Sequence, residues 1–336
     1  MATDDLLAGL REDERTLLRP ARAEFVAPML ATLTDRYFSD PDWIYERKLD
    51  GVRAVVVHGT AGTKLYSRNQ KPMTSTYPEL VRALNTQSPK GMVADGEVVA
   101  FDGAQTSFAA LQGRLGLTDA RRAEASGVPV FLYLFDLLAL DGHDLTALPL
   151  RTRKRLLSEA VDYTDPLRYS AHRNTDGEQY LSEACAAGWE GLIAKQAQGR
   201  YRPGRRTDTW LKFKCVHEQE LVIGGYTDPA GSRTGFGALL VGYYAGKELR
   251  YAGKVGTGFD QRTLTALRRR FDDLAAESSP FADPVRERGV HWLRPELVAE
   301  IGFTEWTRDH RLRHPRYLGL RNDKPAHEVV REEATR

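Results

Sequence analysis

The sequence predicts an α+β protein in two parts: a larger part with antiparallel sheets and interleaved helices, then a small β-barrel. Three observations predict this. The chain has 336 residues, 41% hydrophobic and 28% charged, ordinary for a globular protein and long enough for two domains. From 43 to 142, short runs dense in β-branched and aromatic residues alternate with stretches whose apolar residues recur every three to four positions. From about 218 onward, strands follow one another at barrel-like spacing with one helix among them.

In chain order, residues 3 to about 18 predict a short polar helix, and "RPARAEF" an irregular link. The strands of the first part are "WIYERKL", "RAVVVHG", "TKLYSR", "GMVADGEVVAFD" and "VPVFLYLFDLLAL", punctuated by Gly, Pro, Asn and Asp. Helices fall on "TYPELVRALNT", "FAALQGRLG", "LRTRKRLLSEAV" and "DGEQYLSEACAAG", and two further strands on "EGLIAKQ" and "TWLKFKCV". The second part offers "EQELVIGGYT", "GALLVGYYAG", "ELRYAGKVG" and "ELVAEIGFTEWT", with the helix "QRTLTALRRRFDDLAA". Five or so strands and a helix in roughly 100 residues suit a Greek-key barrel of the OB type. The divisions are 1–22, a polar extension; 23–217; 218–328, the barrel; and 329–336, a charged tail expected to fray. There is no internal repeat and no low-complexity tract.

Net charge is only +2, from 48 basic and 46 acidic residues, so bulk charge does not announce a nucleic-acid partner. Cys185 and Cys215 form no C-x-x-C pair and suggest no disulfide framework. The charged N-terminus lacks the apolar core of a signal peptide, and no apolar run reaches the ~18 residues that span a bilayer. These features predict a cytoplasmic protein without a membrane partner, and a monomer.

The stretch "WIYERKLDGVRAVVV" sets Glu46, Arg47, Lys48, Asp50 and Arg53 inside what otherwise reads as one buried β-ribbon. A lysine in a strand is usually a solvated edge residue. Here Asp50-Gly51 is a turn dipeptide, which places Lys48 at the mouth of a hairpin with Arg53 close by. A partly desolvated lysine beside cations loses its proton more readily and becomes a nucleophile.

Lys48-Leu49-Asp50-Gly51-Val52-Arg53 matches K-x-D-G-x-R, and the chain resembles the covalent nucleotidyltransferases: ATP-dependent DNA ligases, RNA ligases and capping enzymes. Further motifs follow in order. Ser67-Arg68-Asn69, otherwise a polar turn, matches the element whose arginine contacts phosphate. Glu97 in "ADGEVVAFD", otherwise a half-exposed strand residue, matches a glutamate near the ribose and metal. Phe135, before Asp136, matches the aromatic that stacks on the purine. In "EGLIAKQ", Glu190 matches the glutamate at the catalytic metal, and Lys195 a phosphate contact. Lys212 and Lys214 alternate with Leu211 and Phe213, so both lie on one strand face; the resemblance puts them on the α-phosphate. Arg200, Arg202, Arg205 and Arg206 form a basic patch suited to the DNA backbone, or else a solvated charge run.

Near the C-terminus, Arg321, Asp323 and Lys324 match an R-x-D-K element that orients the leaving pyrophosphate. Glu46 either pairs with Arg47 or Arg53, or, as the resemblance implies, accepts from the adenine 6-amino group. The resemblance spans about residues 27–326 and is closest in character to the ligase domain of bacterial end-joining DNA ligases. It implies an adenylation (nucleotidyltransferase) domain over 23–217 and an OB-fold domain over 218–328. It further implies a lysyl-AMP at Lys48, with Asp50 and Asp323 in support, ATP as AMP donor, and Mg²⁺ or Mn²⁺ held by Glu97 and Glu190. Nicked or broken double-stranded DNA would be the substrate, at the nucleoid, with bacterial Ku as a partner. The rival readings are an RNA ligase, a GTP-using capping enzyme, or an inactive nucleic-acid-binding scaffold.

Overall fold

The computed structural model describes residues 4–87, 91–215, 217–229, 234–307, 309–321 and 323–332. It divides into two compact units, Met1–Cys215 and Val216–Glu333. The fold class is the one the sequence predicts, mixed α+β with predominantly antiparallel sheets and a barrel-like second unit.

Two sheets organise the first unit. One carries the strands Phe131–Leu140, Met92–Val99, Val52–Gly59 and Gly62–Tyr66 side by side, with Leu167–Tyr169 added in parallel to the first. The other runs His172–Asn174, Trp43–Arg47, Gly191–Gln196, Arg206–Lys214, Leu30–Leu33. The stretch around Lys48 is therefore not one hairpin. Trp43–Arg47 belongs to one sheet and Val52–Gly59 to the other, and Lys48 to Gly51 is the crossing between them. The crossing is tied down: Lys48 N–H donates to Gly191 O (2.9 Å), Asp50 N–H to Thr106 Oγ1 (3.2 Å), and Phe108 N–H to Asp50 Oδ2 (2.8 Å). A Cβ on Gly51 would lie 2.2 Å from Val98 O, so only glycine lets the crossing pass this closely to the Met92–Val99 strand.

Both faces of Val52–Gly59 are buried, which is why its sequence reads as a near-continuous apolar run. Val52, Ala54 and Val56 enter the main core with Leu132, Leu134, Leu156 and Leu157, the last two from the helix Leu150–Ala160. Val55 and Val57 face a second cluster with Met29, Phe135, Tyr201 and Trp210.

The N-terminal segment departs from the expected single polar helix. Two short helices, Asp4–Ala8 and Glu12–Arg15, place Leu6 and Leu10 in the main core, and Thr152 Oγ1 donates to the buried Glu14. Leu6, on the first helix, and Leu10, in the link between the two, anchor the segment.

The cysteines are a correction too. Cys185 and Cys215 are disulfide-bonded, with Cα atoms 5.2 Å apart. Cys185 lies on the helix Gly177–Ala186, which packs against Gly191–Gln196, and Cys215 N–H donates to Glu190 O (3.0 Å). The fold, not sequence spacing, brings them together.

In the second unit, His217–Thr227 pairs with Leu239–Ala245 on one side and Val290–Phe303 on the other, and Glu248–Val255 extends the sheet. The Val290–Phe303 strand pairs with Ala275–Ala276 near one end and Arg316–Arg321 near the other, so it changes neighbours along its length. Register shifts at Ile223/Gly225 and Val241/Gly242 bend the sheet. The helix Gln261–Asp272 starts where Asp260 Oδ1 accepts from Thr263 N–H (2.7 Å), and buries Leu264, Leu267 and Phe271. Residues 329–332, expected to fray, are packed instead: Val329 is fully buried and its carbonyl accepts from Tyr244 N–H (2.7 Å). Residues 333–336 lie outside the described chain.

Candidate active site

Lys48 stands one residue past Trp43–Arg47, and its Nζ is ion-paired to Glu190 Oε1. Glu190 immediately precedes Gly191–Gln196, the neighbouring strand. On the next strand Lys214 is opposite Gly191 and Lys212 opposite Ile193, so one strand face carries both lysines towards Glu190, with Phe213 buried on the other. Burial pushes the Glu190 carboxyl up, but Lys48, Lys214 and Lys212 together outweigh it and hold it below the ordinary glutamate value. The sequence expected cations to be what Lys48 meets first; the partner in the structure is a carboxylate. Glu190 Oε2 is buried and accepts no hydrogen bond.

Arg53 is locked in place. Its guanidinium forms a two-pronged pair with Asp95 (2.5 and 2.6 Å) and donates to Met29 O (3.1 Å). Tyr201 OH donates to Asp95 Oδ2 (2.6 Å) and accepts from Met29 N–H (2.8 Å). Glu97 is directly opposite Arg53 on the adjacent strand, and Tyr133 opposite Glu97. Asp95 and Tyr201 were not singled out from the sequence. The signal for Asp95 was present, since a residue two before Glu97 in a strand shares its face.

Phe135 carries two cations on its ring, Arg53 Cζ at 4.8 Å and Lys195 Nζ at 4.3 Å from the centroid. Trp210 meets it edge-on at 6.3 Å. Lys195 is not grouped with Lys212 and Lys214: its ammonium lies 4.2 Å from the Trp210 centroid and 2.8 Å from Glu46 Oε2. Glu46 pairs with neither Arg47 nor Arg53. Lys154, from the helix Leu150–Ala160, reaches its other oxygen at 2.7 Å. Burial works against the Glu46 carboxylate, yet Lys154 and Lys195 outweigh it and hold it below its ordinary value. Beside this trio, Asp136 and Arg153 form a fully buried two-pronged pair (2.7 and 2.9 Å).

Arg68 sits half-buried in the turn after Gly62–Tyr66, a turn closed by Ser67 N–H donating to Lys71 O (2.9 Å). Arg200, Arg202, Arg205 and Arg206 are all exposed, with Arg206 donating to Ala31 O. Arg321, Asp323 and Lys324 belong to the second unit. There Arg321 forms a two-pronged pair with Asp323 (3.0 and 2.9 Å) and lies 3.7 Å from Glu300, while Lys324 pairs with Glu220. Glu220 and Glu300 are cross-strand neighbours, and these two cations offset their repulsion.

The paired sheets, with a lysine–carboxylate pair flanked by further lysines and a barrel unit following, define the nucleotidyltransferase class. Residues 28–214 match the ATP dependent DNA ligase domain, and residues 232–324 the ATP dependent DNA ligase C terminal region. The chain belongs to the ATP-dependent DNA ligase family. It is 39% identical over 318 residues to the multifunctional non-homologous end joining protein LigD of Pseudomonas aeruginosa, covering 92% of this chain and 37% of that protein. With the multifunctional non-homologous end joining DNA repair protein LigD of Mycobacterium tuberculosis (strain H37Rv), identity is 37% over 313 residues, covering 91% and 40%. A solved mycobacterial DNA ligase D complexed with ATP and MES superposes with a TM-score of 0.67 at 36% identity, covering 92% of this chain and all of that one. The chain thus spans 37–40% of the length of these curated relatives.

Proposed function

We propose that this chain seals breaks in duplex DNA that carry a 5′-phosphate and a 3′-hydroxyl, using ATP. The observation that carries the reading is Lys48 facing Glu190, with Lys212 and Lys214 arriving from the next strand. In the first step the Lys48 amine, having lost a proton, attacks the α-phosphorus of ATP; an N–P bond forms and pyrophosphate leaves. Lys212 and Lys214 hold the α-phosphate, and Arg68 a further phosphate oxygen. Arg321 and Lys324 draw charge onto the departing pyrophosphate, with Asp323 positioning Arg321.

In the second step an oxygen of the DNA 5′-phosphate attacks the same phosphorus, the N–P bond breaks, and a 5′–5′ anhydride forms. In the third the 3′-oxygen attacks the 5′-phosphorus, AMP leaves, and the strand is joined. Phe135 stacks the adenine, Glu46 accepts from its 6-amino group, and Glu97 meets the ribose. Lys195, placed between Phe135 and Trp210, belongs to the base end of this site. The exposed Arg200, Arg202, Arg205 and Arg206 follow the DNA backbone, which makes binding sequence-neutral and salt-sensitive.

A divalent cation fits the carboxylates present. Glu190 Oε2 is buried with a lone pair unused, and Glu97 is the second carboxylate. Among the described residues no three His, Cys, Asp or Glu side chains converge. Bound there, Mg²⁺ or Mn²⁺ would offset charge on the phosphate oxygens. Among the described residues no helix is long and apolar enough to cross a membrane. A role in end joining is supported by the names of the LigD relatives; we further propose bacterial Ku as a partner and the nucleoid as the place of action.

The test is incubation with α-labelled ATP or GTP, followed by sealing of a 5′-phosphorylated nick with DNA or RNA on the 3′ side. A labelled band with ATP, absent from a folded Lys48→Ala variant that no longer seals, is the expected result. Labelling by GTP alone, or sealing by the variant at the parent's rate, refutes the reading.

A further inference from the structure

Glu46 and Phe135 meet the same base in the reading above, yet they come from different sheets. Glu46 is on Trp43–Arg47 and Phe135 on Phe131–Leu140. Their separation is only as fixed as the link between the sheets. Lys195, from the Glu46 sheet, is one link, since its ammonium lies 2.8 Å from Glu46 Oε2 and 4.3 Å from the Phe135 centroid. Lys154 is a second, and it comes from the Phe135 side. Its helix packs on the Phe131–Leu140 strand, and its ammonium touches both layers at once. It reaches Glu46 Oε1 at 2.7 Å and donates to Ser170 O at 2.9 Å, just past Leu167–Tyr169. Its stem runs under the Tyr169 ring, with Nζ 4.6 Å from the centroid. The side chain is 1% exposed, a burial that lysine tolerates only with partners.

Charge makes the same point. Burial pulls the Lys195 ammonium below the ordinary lysine value, whereas Lys154, its own burial outweighed by Glu46, is held above it, so Lys154 is the firmer counter-ion. The carboxylate keeps capacity for a ligand: Glu46 Oε1 is buried and accepts no well-aligned hydrogen bond, even with Lys154 beside it.

We propose that Lys154 is a positioning residue for nucleobase selection, fixing Glu46 Oε1 relative to Phe135 so that it accepts from a 6-amino purine and repels a 6-oxo one. The proposal rests on Glu46 meeting the base. A carboxylate held as an anion has only acceptors to offer, so an amino group satisfies it and a carbonyl oxygen does not.

The experiment compares enzyme–nucleotide formation with ATP and with purine riboside triphosphate, which carries hydrogen at position 6. It uses the parent chain, Lys154→Met, Lys154→Gln and Glu46→Gln, each checked for folding by thermal denaturation. The parent should favour ATP by roughly 10- to 100-fold in KM, the size of one hydrogen bond to a charged group. Lys154→Met, which keeps the length and loses the charge, should cut that preference to about threefold or less through weaker use of ATP alone, with the KM of the 6-hydrogen analogue within about twofold of the parent's. Lys154→Gln decides the matter should the methionine variant not fold, and Glu46→Gln should collapse the preference in the same way. Equal losses on both nucleotides, with the preference kept, make Lys154 merely structural and overturn the proposal. No preference in the parent overturns the Glu46 reading beneath it.

Discussion

Asp95 is the group on which the Arg53 side of the site depends, and Asp95→Asn tests how. The carboxylate is fully buried and takes both prongs of Arg53 and the Tyr201 hydroxyl, at 2.5, 2.6 and 2.6 Å. The asparagine keeps the shape and removes the charge. Arg53, largely but not fully buried, is then left with Met29 O and the facing Glu97 in place of its counter-ion. Breaking a buried pair by removing one partner costs about 3–5 kcal/mol. For a domain of this size each kcal/mol moves the midpoint by roughly 2–4 °C, so the first unit should melt about 6–20 °C lower. Calorimetry resolves this, because the second unit has its own core and its transition should not move. Enzyme–AMP formation measured below the new midpoint should also fall, as Arg53 is one of the two cations on the Phe135 ring. A midpoint within about 2 °C of the parent's would refute the account of Arg53 as a buried ion held by one carboxylate.

Glu46 is held below its ordinary value of 4.5 by Lys154 and Lys195 against the pull of burial, so the stability it contributes is complete above about pH 4.5 and is lost as pH falls further. Denaturant titrations from pH 6 to 3 should therefore show a shallower acid decline for Glu46→Gln than for the parent, and parallel curves would argue against it. The disulfide closes a loop with a sequence separation of 30, and replacing both cysteines by serine should cost about 3–4 kcal/mol by urea denaturation; no change in midpoint would show that the bond does not form. Gly51→Ala drives a methyl to 2.2 Å from Val98 O, so the crossing must shift. With Lys48 three residues away, adenylation should drop on the order of 100-fold at modest cost in stability, and a rate near the parent's would show the crossing to be more pliant than its packing implies.

Much of the site was legible because strands convert sequence into geometry with a period of two. Lys212 and Lys214 around Phe213 could be assigned one face from the letters alone, and the structure puts them on that face. What could not be read was anything set by pairing between distant segments. Lys48 and Glu190 are 142 residues apart, and nothing local marks them as partners. The crossing between sheets looked like a turn because Asp-Gly serves both purposes. Arg153 and Lys154 looked like the wet side of an amphipathic helix. They are buried because each meets a buried carboxylate, Asp136 for Arg153 and Glu46 for Lys154. Leu6 and Leu10 were overlooked because charged residues dominate the segment around them.

The Val52–Gly59 strand raises a problem of alignment that its charges resolve. A strand with one wet side cannot slide by one position without turning its oily side to water. This strand has no wet side, so sliding would merely exchange one dry environment for another, and greasy residues alone cannot choose between them. Arg53 removes the ambiguity: displaced by one, its guanidinium would enter the layer of Leu132 and Leu134 and lose Asp95. The arginine of the K-x-D-G-x-R motif is thus also the mark by which the chain finds its place in the sheet, and a substitution that spares catalysis could still leave the strand mis-threaded.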